Sequence, residues 1–299
     1  MGIVKAGIKR RARLLGEALC PPKLATLAAR RRSRQGQEQQ EQQRPAKNTV
    51  AVPYTVPTVP RLVESPVFVL APVRSGSTLL RMLLNSHSRI RAPHELHLRA
   101  IEVELTPGFS DRSMLEIGLD KVELEHVLWD RVLSLELERS GKDIIVDKTP
   151  GNVWAWQRLR HAWPKARFLI LLRHPEGIVS SLANRQSNIA TRKQLEHNVL
   201  KYLVPLEEAR QTLDSLTVRY EDLTADPERV AREICEYLGQ EWEPDMLEYG
   251  KHEHGPFVPN LGDRSEKIKS GRIQPARPLS GIDGLSPSLM KIASAWDYA

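Results

Sequence analysis

Four short runs of branched and aromatic residues, separated by stretches of helical periodicity, constrain this chain more than any other feature. Pro66-Val67-Phe68-Val69-Leu70-Ala71, Asp143-Ile144-Ile145-Val146-Asp147, Ala166-Arg167-Phe168-Leu169-Ile170-Leu171-Leu172 and Leu216-Thr217-Val218-Arg219-Tyr220 each have the length and composition of a buried strand. Helical patterns fall between them, over 78–85, 122–138, 153–162, from Pro175 onward, and 193–212. Asp226-Pro227-Glu228 opens a further capped helix to Leu238, with Gly239 as its stop. Strands that alternate with helices imply right-handed crossovers and a parallel sheet covered on both faces, a three-layer α/β/α fold. Ligands of such sheets sit beyond the carboxyl ends of the strands, so motifs that follow strands carry the functional reading.

A length of 299 residues holds one large α/β domain or two small ones. The net charge of +7 is unevenly placed. Residues 1–47 carry 12 Lys/Arg against 3 Asp/Glu, and the rest of the chain carries 32 against 34. The basic arm therefore sets the pI, and a nucleic-acid-binding body is not expected. The tract from Arg30 to Arg44 is rich in Arg and Gln and buries too little apolar surface to order itself, so 1–47 reads as a solvated tail. Sharper readings of the arm are contact with an anionic surface or a partner helix. Prolines at 53, 57 and 60 make 48–64 an extended lead-in, and the domain proper is expected over 65–299. Two cysteines, Cys20 and Cys235, give neither a disulfide framework nor a metal-ligand spacing, which fits a reducing, cytoplasmic setting. No run approaches the ~18 apolar residues of a membrane span. The stretch after Arg13 is broken by Glu17 and Pro21-Pro22, which argues against a signal peptide.

Val73-Arg74-Ser75-Gly76-Ser77-Thr78-Leu79-Leu80 follows the first strand. Gly76 lets backbone amides approach a ligand, and the next helix points its positive N-terminus at the same place. Strand, small-residue turn and helix together make an anion site. Arg74 adds a planar fork for phosphate or sulfate oxygens, and Ser75, Ser77 and Thr78 add hydroxyls. The plain alternative is a Gly/Ser turn that caps a helix. A nucleotide triphosphatase loop needs G-x-x-x-x-G-K-[ST]; the second glycine and the lysine are missing here, so neither that loop nor a required metal is expected. A second cationic junction, Leu171-Leu172-Arg173-His174-Pro175, follows the third strand, with Ser180, Ser181 and Arg185 on the helix behind it. Ser181 and Arg185 are four apart and share a helix face. Two such junctions on one sheet suggest a ligand with two separated anionic ends.

These motifs in this order resemble the PAPS-dependent sulfotransferase superfamily, and are most similar to the tyrosylprotein sulfotransferases and their bacterial relatives. The resemblance runs from Arg74 through Arg81 to His87 and on to Glu95. It continues in Asp147-Lys148-Thr149-Pro150, in the spacing of Arg173, Ser181 and Arg185, and in Val218-Arg219-Tyr220-Glu221-Asp222-Leu223. It covers roughly Ser65 to Pro275 and implies a P-loop-like sulfotransferase fold. By resemblance, Arg74, Ser75, Gly76, Ser77 and Thr78 hold the donor's 5′-phosphosulfate. Arg173, Ser181 and Arg185 hold its 3′-phosphate, and Tyr220 contacts the nucleotide. Lys267, Lys269 and Ser270, within Ser265–Arg272, belong to a loop that closes over it. Glu95 is the general base, and Lys148 with Arg74 binds the transferring group. The family often has Gly-Glu-Glu where this chain has Pro93-His94-Glu95, so His94 and His97 compete for the base role.

The implied reaction moves a sulfuryl group from PAPS to a hydroxyl on a small molecule, glycan, lipid or peptide tyrosine, with no metal. A homodimer is compatible with the chain. Two other classes remain open at this stage. One is a P-loop kinase-like phosphotransferase, and the other is a non-enzymatic binding module that uses the basic arm. The span from Ala100 to Asp120 is expected on the acceptor side.

Overall fold

The computed structural model describes residues 59–186, 190–256, 262–263, 265–278 and 281–298. The expectations for the arm 1–47 and for 48–58 lie outside the described residues. In chain order the elements are β1 (Val67–Leu70), α1 (Ser77–Ser86), β2 (Ile90–Arg91), α2 (Ser110–Glu116), α3 (Lys121–Ser140), β3 (Ile144–Asp147) and α4 (Trp156–Ala162). Then follow β4 (Arg167–Leu172), α5 (Pro175–Gln186), α6 (Arg192–Thr212), β5 (Ser215–Arg219), α7 (Tyr220–Ala225), α8 (Pro227–Tyr237), α9 (Glu266–Lys269) and α10 (Pro287–Ala295). Short 3-10 segments occupy Leu98–Ala100, Pro150–Trp154 and Pro244–Lys251.

The strands form a five-stranded sheet in the order β2-β3-β1-β4-β5, and every pairing is parallel. β1 lies in the middle, with Phe68 opposite Asp147 of β3 and Leu70 opposite Ile170 of β4. The period-2 geometry of a strand explains why the runs are apolar throughout. Phe68 and Leu70 enter one core, with Trp163, Phe168, Ile170 and residues of α3, α6 and α10. Val67 and Val69 enter the other, with Leu169, Leu171 and residues of α1 and α8. Both faces are thus buried, and the three-layer α/β/α expectation holds.

Several local expectations need adjusting. Tyr220 is not the last strand residue; it starts α7 directly after Arg219. The helix expected over 153–162 splits, because Pro150 and Gly151 start a tight 3-10 turn and α4 begins only at Trp156. The edge strand β2 is two residues long, too short for periodicity to reveal. α2 buries none of its residues and so carries no core-facing stripe.

Candidate active site

The loop after β1 is shaped by backbone conformation. Gly76 has φ 89°, and a Cβ there would lie 2.2 Å from Cδ2 of Tyr220. Tyr220 therefore forms the floor of the loop. Its other neighbour is Arg173, whose guanidinium carbon is 4.4 Å from the ring centroid. Arg173 also donates from Nη1 to the carbonyl of Arg74 at 2.7 Å. Arg74 donates from Nε to Oγ of Ser181 at 3.1 Å. The junctions after β1, β4 and β5 thus meet in one place. α1 begins here with no side-chain cap on its first turn, so its free N–H groups and dipole face the loop. The Ser75 hydroxyl and Arg173 Nε are buried with no partner among the described residues. A buried unpaired donor is costly unless a ligand satisfies it.

Glu95 and Lys148 come together from elements far apart in sequence. Lys148, directly after β3, is 1% exposed and its Nζ lies 2.5 Å from Oε1 of Glu95. Oε2 of Glu95 lies 3.3 Å from Nε2 of His97. Burial pushes the Glu95 carboxyl up, but the hydrogen bond from His97 and the charge and hydrogen bond of Lys148 outweigh it, and the group is held below the ordinary range. Burial lowers the Lys148 ammonium, and the attraction of Glu95 offsets only part of that. The pair is an ionised carboxylate with both oxygens engaged.

The loop that carries Glu95 is pinned from two sides. Arg81 donates from Nη1 to the Ala92 carbonyl at 3.1 Å, and Asn85 Oδ1 accepts from the Ala92 amide at 3.0 Å. Both come from α1, so the helix after the β1 loop also fixes the loop that carries Glu95. On the other side, Thr149 Oγ1 accepts from the His97 amide at 3.2 Å and donates to Asp147 at 2.9 Å. Asn152 donates to the second oxygen of Asp147 at 2.9 Å. Asp147 is fully buried, and burial raises its carboxyl despite these bonds. Among the described residues, Arg74 (φ 65°) and His97 (φ 51°) are two of the three non-glycine residues in the left-handed region. Such backbone costs energy and clusters at functional sites.

The expected site residues separate into three groups. Arg74, Ser75, Gly76, Ser77, Thr78, Arg173, Ser181 and Tyr220 share the anion loop region, and Glu95, His97 and Lys148 share the carboxylate site beside it. Gly262 bridges the two: a Cβ at that position would lie 3.4 Å from Thr78 Oγ1 and 3.9 Å from Glu95 Oε1. His94 turns back to the Glu95 carbonyl at 3.1 Å and does not meet the carboxylate. The side chain of Arg185, on α5, lies outside the described residues. Lys267, Lys269 and Ser270 stand apart. Lys269 pairs with Glu266 at 2.8 Å, and Ser270 donates to the Lys267 carbonyl at 2.6 Å. Their stretch is anchored on the Pro244–Lys251 segment, where the Tyr249 hydroxyl donates to the Ile268 and Arg272 carbonyls.

What reaches the anion loop from this side is Asp263, 3.2 Å from Arg74 Nη1, with its amide donating to Thr78 Oγ1 at 3.0 Å. The sequence gives no signal for this contact, because 185 positions separate its partners. Arg81 and Asn85 were equally hidden as anchors of the 92–98 loop, although their four-residue spacing on α1 places them on one face.

Comparisons with known proteins address the family and the fold. A model described as the sulfotransferase family matches residues 66–244. The nodulation protein NoeE of Sinorhizobium fredii is 32% identical over 127 residues, 38% of this chain and 30% of NoeE. Protein-tyrosine sulfotransferase 2 of Gallus gallus is 24% identical over 206 residues, 61% of this chain and 53% of that enzyme. The chain spans only about a third to a half of the length of these relatives. Among solved structures, the sulfotransferase domain of the Synechococcus PCC 7002 olefin synthase superposes with a TM-score of 0.61 at 22% identity, over 82% of this chain and 98% of that domain. That likeness is one of fold.

Proposed function

Since this chain belongs to the sulfotransferase family, we propose that it moves a sulfuryl group from PAPS to a hydroxyl acceptor by in-line transfer, with Glu95 as general base. The observation that carries the reading is the ionised Glu95 beside buried Lys148, bridged to the anion loop by Gly262. The residues present fit the donor. Ser75 and Arg173 offer buried polar atoms that lack partners, and the uncapped start of α1 offers amides. Arg74, Ser75, Gly76, Ser77 and Thr78 hold the 5′ end; Arg173, Ser181 and Arg185 hold the 3′-phosphate; and Tyr220 supports both. Lys267, Lys269 and Ser270 remain in the proposal as residues that approach only once the donor is bound.

A hydroxyl is a poor nucleophile, and a carboxylate that takes its proton as attack proceeds contributes about 10²–10⁴ in rate. Glu95 is suited to this because it is ionised and fixed. The proton goes to a Glu95 oxygen as the new sulfur–oxygen bond forms, and the bond to the leaving phosphate oxygen breaks. Arg74, Lys148 and the loop amides stabilise the charge that develops there. The positive groups needed are side chains of this chain, so the proposal includes no metal. A cytoplasmic location belongs to the same proposal, supported by the two-cysteine composition.

The acceptor is a small molecule, glycan, lipid or peptide tyrosine bearing a hydroxyl. Incubation of the purified chain with sulfur-labelled PAPS and cell extract is expected to give a labelled organic product. No transfer to any component, with binding of the desulfated nucleotide also absent, would remove the reading.

A further inference from the structure

Asp263 is a carboxylate on the arginine that the proposed donor needs. Its Oδ1 lies 3.2 Å from Arg74 Nη1. Burial raises the Asp263 carboxyl, but the charge and hydrogen bond of Arg74 outweigh this and hold it ionised. Ser265 donates its amide to Oδ1 at 3.1 Å and its hydroxyl to Oδ2 at 3.2 Å, which orients the carboxylate. The Asp263 amide donates to Thr78 Oγ1 at 3.0 Å. Gly262, at φ 98°, lies against Thr78 and Glu95; a Cβ there would be 3.4 Å from Thr78 Oγ1 and 3.9 Å from Glu95 Oε1. Two consecutive residues thus engage an anion-binding arginine, a first-turn hydroxyl of α1 and the base.

We propose that Gly262–Asp263 is an internal ligand of the anion loop, in which the Asp263 carboxylate takes the place of a donor anion on Arg74 and leaves when that anion binds. A carboxylate presents two negative oxygens to a guanidinium much as a phosphate or sulfonate does. One partly buried arginine does not hold both anions at low cost, because like charges at contact distance repel strongly in such surroundings. Departure of Asp263 also carries Gly262 away from Glu95, so the base becomes accessible only after the anion is in place. The internal contact lowers apparent affinity by the fraction of chains in which the loop is free.

The inference rests on the donor reading for its biological sense, but its test does not. Inorganic pyrophosphate and the desulfated donor, 3′-phosphoadenosine 5′-phosphate, are titrated separately into the full chain and into Asp263→Asn and Asp263→Ala by calorimetry. Thermal unfolding checks that both variants are folded. Asn keeps the shape and removes the charge; Ala guards against an Asn that stays in place through its amide. Both variants are expected to bind pyrophosphate about three- to tenfold more tightly than the native chain. Equal or weaker pyrophosphate binding in both overturns the inference, whatever the nucleotide does. Tighter pyrophosphate binding with no nucleotide binding to any of the three chains leaves the internal ligand standing and removes the donor reading.

Discussion

The two halves of the site are built in different ways. On the proposed donor side, five consecutive residues from Arg74 to Thr78 connect β1 to α1, and Arg173 stands at the matching position after β4. Their placement follows from the strand, the turn and the helix to which they belong. On the proposed acceptor side, Glu95 and Lys148 are 53 positions apart and meet only because the 92–98 loop is pinned at Ala92 by α1 and at His97 by Thr149. Phe109, Leu115 and Ile117, within the 100–120 span expected on the acceptor side, are exposed. A locally encoded loop therefore adjoins a region whose geometry depends on tertiary contacts. Substitutions on the first side should act on nucleotide affinity, and those on the second should act on the chemical step.

The largest effect is expected at Glu95. Glu95→Gln keeps volume and can still meet Lys148 through its carbonyl, but cannot take the acceptor proton. Single-turnover transfer to a surrogate phenol should fall by about 10²–10⁴, while calorimetry gives a nearly unchanged Kd for the desulfated nucleotide. A large loss of nucleotide affinity would break the division between the halves.

Gly76→Ala tests the donor half next. The added methyl meets the Tyr220 ring at 2.2 Å, and φ 89° disfavours any side chain. Nucleotide affinity should fall by about 2–4 kcal/mol, through backbone strain together with displacement of Tyr220 from beneath Arg173. The same variant should retain its chemical step once saturated with donor. An unchanged Kd would mean that the loop does not hold the ligand.

The contrast also explains what could be read from the sequence. β1, β3, β4 and most helices were legible because apolar runs and caps are local signals, and Arg74 to Thr78 and Arg173 were legible because they follow those strands. Glu95, His97 and Lys148 came from resemblance to a family, since no periodicity links residues brought together by a loop. Asp263 carried no signal at all. The expected approach of Lys267, Lys269 and Ser270 likewise came from resemblance to a family loop. In the structure, Tyr249 and the close contact of Gly250 with Gly271 anchor that stretch.

Arg173→Ala refines the donor side further. The guanidinium supports Tyr220 and donates to the Arg74 carbonyl, so some affinity for any nucleotide should be lost. The proposed phosphate contact adds a specific part. The 3′-phosphorylated nucleotide should weaken by about 1.5–3 kcal/mol more than the analogue lacking that phosphate, the size of a charge-assisted hydrogen bond. Equal weakening of both would give Arg173 a purely supporting role.

The smallest effect at neutral pH is expected at His97, and it separates two readings of the acceptor half. Burial drives the Glu95 carboxyl up, and the hydrogen bond from His97 is the foremost of the contacts that bring it down, ahead of the charge of Lys148. In the native chain Glu95 thus loses its proton below the ordinary Glu value of 4.5. The acid limb of kcat/KM should fall in that region. His97→Ala removes one opposing contact and leaves the burial, so the limb should move to higher pH. At pH 7 the carboxylate is still ionised, and activity should drop by less than about tenfold. The sign for stability is the same. A depressed carboxyl contributes stability that is present above its unfolded value and lost as pH falls through its folded one. The variant should therefore lose less stability than the native chain between neutral pH and pH 3. Were His97 itself the base, His97→Ala would be inactive at pH 7 and Glu95→Gln would retain most transfer, since a glutamine carbonyl still orients an imidazole N–H. The pair of pH profiles decides between a carboxylate supported by histidine and a histidine supported by carboxylate.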